Sequence, residues 1–99
     1  MSLFVVYALD KPGSGAEIRA ENRPRHLEWL KSLGDKLRVA GPILSDDGDA
    51  MIGSMLLIEA NSLSDMKDLV ETDPYAKAGL FERTDVRPYN WLLGADKPD

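Results

Sequence analysis

The chain has 99 residues, 43% hydrophobic and 29% charged, with 12 Lys+Arg against 17 Asp+Glu for a formal net charge of −5. That length supports one hydrophobic core and hence one domain, the negative balance repels phosphate backbones and argues against a nucleic-acid partner, and no run approaches the ~20 apolar residues of a membrane span. The absence of cysteine excludes disulfides, thiolate nucleophiles and cysteine-ligated metals and fits a cytoplasmic protein, as does a start, Met1-Ser2-Leu3, with no basic segment or cleavage site.

Leu3 to Leu9 is short and rich in β-branched and aromatic residues, which predicts a first strand, apolar on both faces. Asp10-Lys11-Pro12-Gly13 breaks it, and Ser14 with Glu17 has the spacing of a capping box opening the first helix. Leu27, Leu30 and Leu33 continue an apolar stripe and Gly34 supplies a stop, while Pro24 predicts a kink or a division into two helical pieces. Leu37 to Leu44 is a second strand with Gly41-Pro42 near its end, and Asp46-Asp47-Gly48-Asp49 carries turn chemistry. Ser54 to Glu59 is a third strand, again apolar on both faces. Ser62 and Asp65 have capping spacing before an amphipathic helix carrying Leu63, Met66, Leu69 and Val70, which ends at Asp73-Pro74. Phe81 to Trp91 alternates as a last strand. The expectation is one domain over residues 1–93 and a flexible tail over 94–99.

The order β-α-β-β-α-β is the ferredoxin-like α+β arrangement, a four-stranded antiparallel sheet with two helices on one face. Its central strands are the first and third, whose apolar character on both faces asks for a cover on the side the helices leave open. A second copy of the sheet is the simplest cover, so the chain is expected to form a homodimer through the sheet face.

His26 is the single histidine, and its ordinary titration near neutrality makes it the candidate proton carrier. Arg19, Arg23 and His26 stand at i, i+4 and i+7, so they share a helix face on which arginines would hold an anion beside the ring. Position alone also fits a solvated helix face with one histidine tucked against leucines. Asp73 is the candidate partner, since a carboxylate on one imidazole nitrogen fixes the tautomer and leaves the other to accept a proton. Asp73-Pro74 also reads as a helix N-cap with proline at N1, opening a turn through Gly79, and the two roles are compatible. Ser54 is a candidate donor into a pocket, as are Tyr7 and Tyr75. Asp46, Asp47 and Asp49 lack the spacing of a calcium loop. One histidine without cysteine makes a typical zinc site improbable, and no glycine-rich phosphate loop occurs.

Arg23-Pro24-x-His26-Leu27, Ala40-Gly41-Pro42, Gly53-Ser54, and Asp73-Pro74-Tyr75 followed by Ala78-Gly79-Leu80, taken in this order, resemble the YciI-like family. Val86-Arg87-Pro88-Tyr89 is similar to the family's last strand, while the Gly34-Asp35-Lys36 connection is shorter than in some relatives. The resemblance implies a ferredoxin-like fold in a dimeric α+β barrel and an active site on a histidine and an aspartate, which match His26 and Asp73. Related barrels include muconolactone isomerases and a dehydrochlorinase of a chlorinated hydroxyquinol, which implies proton abstraction or elimination on a small ring or lactone. The expected function is therefore a lyase or isomerase without cofactor or metal. In it His26 is the base, Asp73 orients it, and Arg23, Ser54 and Tyr75 contact a small anionic or cyclic substrate. The alternatives are a non-catalytic small-ligand binding protein and a dimeric interaction module.

Overall fold

The computed structural model describes residues 1–97, so the last two positions of the expected tail lie outside the described residues. Its elements are β1 (Ser2–Asp10), α1 (Gly15–Ser32), a 3-10 turn (Gly34–Lys36), β2 (Leu37–Leu44), β3 (Met51–Ala60), α2 (Leu63–Glu71), α3 (Pro74–Lys77) and β4 (Phe81–Tyr89). The strands form one antiparallel sheet in the order β2-β3-β1-β4, the ferredoxin-like topology, with β1 and β3 at the centre. Phe4, Val6, Leu56, Ile58 and Val86 turn one sheet face into the core, where Met66 and Val70 of α2 close over them. Trp29 and Leu30 of α1, and Leu33 just past its end, pack against the same cluster.

Alternation along the pleat puts the neighbours of these residues on the opposite face. There Val5 pairs with Leu57 and Tyr7 with Met55 across β1–β3, and Leu57 pairs with Val39 of β2. Leu57 is buried, whereas Tyr7 and Val39 are exposed. The middle of the face is apolar along β2, β3 and β1; it becomes charged at β4, where Arg87 stands opposite Val5 and Asp85 opposite Tyr7, and at the end of β3, where Glu59 stands opposite Leu3 and pairs with Arg38 at 3.5 Å.

Three details depart from the sequence expectation. Ser14 makes no side-chain cap: its backbone, φ −92° and ψ 11°, lies outside the extended geometry that aims a capping hydroxyl at the first turn. Of the two outcomes expected at Pro24, a kink or a division, the division does not occur: α1 runs continuously through it. The missing N–H frees the carbonyl of Ala20, and Ala20 is exposed, so that carbonyl is not buried without a partner. The third strand starts at Met51 and the last ends at Tyr89, because ladder pairing extends to the β2–β3 turn and stops short of Trp91. In the turn Asp47 Oδ1 accepts from Ser45 Oγ and from the Asp49 amide, which hold its carboxyl below the ordinary range, while Gly48 takes φ +79°.

Residues 90–97 continue past β4, and Trp91 lies under the guanidinium of Arg38 on β2, 5.7 Å from the ring centre. Part of the expected tail's approach is therefore anchored at the far edge of the sheet. No helix of the described residues is long and apolar enough to cross a membrane.

Candidate active site

Asp73 occupies the corner between α2 and α3. Its extended backbone and the following Pro74 start α3, and its Oδ1 accepts from the Tyr75 amide at 3.0 Å. The same oxygen lies 2.8 Å from His26 Nδ1, so capping and pairing converge on one atom. Trp29 Nε1 donates to Thr72 Oγ1 at 2.8 Å, pinning α1 beside this corner and holding His26 in register with Asp73. His26 is 8% exposed and Asp73 2%. A carboxylate only accepts, so Nδ1 carries the proton and, in the neutral ring, Nε2 carries the lone pair. Among the described residues Nε2 has no hydrogen-bond partner and no fully buried side-chain polar atom is left without one, so Nε2 opens onto accessible space.

That space is a cleft of about 160 Å³ between α1 and the β2–β3 arm, with Arg19, Arg23, His26, Ser54 and Tyr75 on its polar side. Leu27, Leu30 and Leu56 give it an apolar wall. The Tyr75 ring stacks on the imidazole, centroids 3.9 Å apart at 12°, and Arg19 lies 5.2 Å over the same tyrosine. Burial pushes the Tyr75 phenol above its ordinary value, against the pull of Arg19 and Arg23, so it stays protonated and able to donate at neutral pH.

The two cleft arginines differ. Arg19 is buried and grips Asp10 through Nε–Oδ2 at 2.7 Å and Nη2–Oδ1 at 2.9 Å, with further bonds from Nη2 to the Gly53 carbonyl at 2.7 Å and Ser54 Oγ at 3.2 Å. Its charge is spent on the fold. Arg23 is exposed and makes no hydrogen bond or ion pair among the described residues. Gly53 is needed where Arg19 docks: a Cβ there would stand 2.3 Å from the Ala8 carbonyl oxygen, forcing β1 and β3 apart.

The structure thus gathers four of the candidate residues, Arg23, His26, Ser54 and Tyr75, around one cleft with Asp73 directly behind the ring. Tyr7 is elsewhere, 44% exposed on the opposite sheet face. Sequence reasoning passed over Asp10, which reads as a strand breaker, and so left Arg19 without the partner that neutralises it. Among the described residues no three His, Asp or Glu side chains cluster as metal ligands.

Comparison with known proteins establishes the family and the fold. The chain is 36% identical over 94 residues to Protein YciI of Escherichia coli, spanning 88% of this chain and 95% of that one. It is 34% identical over 71 residues to the derivative of benzaldehyde biosynthesis cluster protein C of Emericella nidulans, 64% of this chain and 72% of that protein. Among solved structures it matches the 5-chloro-2-hydroxyhydroquinone dehydrochlorinase TftG of Burkholderia phenoliruptrix, in complex with 2,5-dihydroxybenzoquinone. The TM-score is 0.78 and the identity 39%, over 97% of this chain and 99% of that one. A NIPSNAP domain protein of Burkholderia xenovorans, 16% identical with TM-score 0.52 over the full length of both chains, shares the fold alone. The family model of the YCII-related domain matches residues 2–90, and the chain belongs to that family.

Proposed function

We propose that the chain is a cofactor-independent lyase or isomerase that moves a proton on a small, acidic, cyclic substrate, with His26 as the base. One observation carries this reading: an imidazole whose Nδ1 is held by a buried carboxylate while Nε2 opens onto a cleft beside an unpaired arginine. In the proposed step Nε2 takes a proton from an acidic C–H or O–H of the substrate, and Asp73 stabilises the imidazolium that results. The electron pair moves into the substrate and its charge collects on an oxygen, held by Arg23 and by hydrogen bonds from Ser54 and Tyr75. In an elimination a leaving group such as chloride departs with its bonding pair and the proton stays on His26, so HCl is lost overall. In an isomerisation the imidazolium returns the proton to a different atom. The likeness to a dehydrochlorinase bound to 2,5-dihydroxybenzoquinone supports this substrate class.

The test follows chloride release from 5-chloro-2-hydroxyhydroquinone, with His26 ring signals in NMR reporting the binding of 2,5-dihydroxybenzoquinone. The wild type is expected to release chloride, His26→Ala to lose that rate by about 10²- to 10⁴-fold, and Asp73→Asn to lose a comparable factor while staying folded. An amide oxygen preserves both bonds of Oδ1, and asparagine caps as well as aspartate; only the charge that favours imidazolium goes. Full turnover in His26→Ala, or no chloride release together with unshifted ring signals, overturns the reading.

A further inference from the structure

A second cleft, of about 430 Å³, adjoins the first where α1 faces the β2–β3 turn. Arg19, Arg23 and Met51 wall both clefts, so the two meet along the Arg23 side chain. The rest of the second lining is Ala16 and Ala20 of α1 with Asp49 and Ala50 of the turn. Positions 16, 20, 23 and 27 follow helical spacing along one face of α1, and along that face the side chains pass from leucine through a cation to two methyls. At the alanines the helix has nothing to fill the gap to the turn, and Met51 is left 46% exposed across it.

The charges sort what each part accepts. Of the two cleft arginines Arg23, at the seam, is the one without an ion pair among the described residues; the Asp49 carboxylate lines the second cleft and repels a second anionic group there. A bare acidic ring at His26 and Arg23 leaves the second cleft filled only with water against apolar walls. An uncharged apolar group attached beside the acidic oxygen passes the guanidinium and lies along Ala16 and Ala20 against Met51, removing apolar surface from water on both sides.

We propose that the two clefts form one bipartite site for an amphipathic anion, an acidic ring bearing an uncharged alkyl or aryl substituent next to the oxygen that Arg23 holds. The inference rests on the proposed function for the position of the ring, and adds the substituent.

The test is a calorimetric titration with 2,5-dihydroxybenzoquinone and its 3-propyl and 3-hexyl derivatives, in which the chain is attached beside a hydroxyl. A fully buried methylene contributes about fourfold in affinity, and an open groove captures part of that, so the hexyl compound is expected to bind at least about tenfold tighter than the parent. Ala20→Phe fills the groove from an exposed helix position. It is expected to bring the hexyl affinity to within about threefold of the parent's without changing the parent's, and Ala16→Leu provides a second block on the same face. Equal affinity for parent and hexyl compounds, a chain-length gain that survives both variants, or no binding by any probe overturns the inference. If the parent shifts the His26 ring signals while chain length has no effect, the acid–base reading stands and the second cleft does not belong to it. If only the long-chain probes bind, with a gain that Ala20→Phe removes, the second cleft stands and the grip assigned to His26 and Arg23 fails.

Discussion

Tyr75 joins the two halves of the site, with its amide on Asp73, its ring on His26 and Arg19 over the same ring. It is 3% exposed, and burial, the largest influence on the phenol, raises its pKa above the ordinary value of 10.0. Above pH about 10 an unfolded tyrosine has released its proton while the folded one keeps it, so the folded state binds more protons and stability falls with pH. This contribution is intact below the unfolded pKa and is lost as pH climbs through the folded one. Tyr75→Phe is expected to remove that alkaline component, measured as the difference between urea-unfolding free energies of variant and wild type from pH 9 upward; parallel curves would count against it. At this scale the sequence was informative where chemistry is local. Asp73 caps α3, as its position before Pro74 suggested, and also pairs with His26, the compatible second role expected of its carboxylate. The Arg19–Asp10 pair was illegible because Asp10 ends a strand and Arg19 lies in the following helix, and only the packing of α1 on the sheet brings the two ends together.

Among the elements, two serines with the same sequence signature behave differently. Ser62, with φ −152° and ψ 163°, accepts from the Asp65 amide at 3.0 Å and caps α2, while Ser14 at the start of α1 makes no such bond. Ser62→Ala is expected to cost about 1 kcal/mol in chemical denaturation, the usual worth of a side-chain cap, and Ser14→Ala less than about 0.5 kcal/mol. Equal losses at the two sites would show that spacing alone sets the cap. The contrast also explains which elements were readable. Period and turn residues give the order of strands and helices because they act over a few positions. Cap geometry at Ser14 and the continuity of α1 through Pro24 depend on φ and ψ imposed by packing, which override the local preference. Strand ends moved by a few residues for the same reason, since a ladder ends where its partner strand stops supplying hydrogen bonds.

At the scale of the whole molecule, the sheet face that the helices leave open asks for a cover. Helices cover the face that carries Phe4, Val6, Leu56 and Ile58, and the opposite face presents Val5, Tyr7, Val39 and Met55 around the buried Leu57. We propose that a second copy covers it, sheet against sheet about a two-fold axis, so that every substitution acts twice at the interface. Met55 lies near the middle of this face, with Tyr7 on one side and Gly41 on the other and no carboxylate directly opposite. A charge introduced there remains solvated in the monomer but is buried without a partner in the dimer, at several kcal/mol per ion. By sedimentation at micromolar concentration the wild type is expected at twice the 10.9 kDa chain mass and Met55→Lys at the chain mass itself, with unchanged circular dichroism. A folded wild-type monomer, or a variant that still dimerises, would refute the arrangement. The pleat separates assembly from the cleft: Ser54 and Met55 are consecutive on β3 and point to opposite faces. The monomeric variant is therefore expected to keep the affinity of the wild type for 2,5-dihydroxybenzoquinone, measured by calorimetry; a loss would show that the partner supplies part of the cleft.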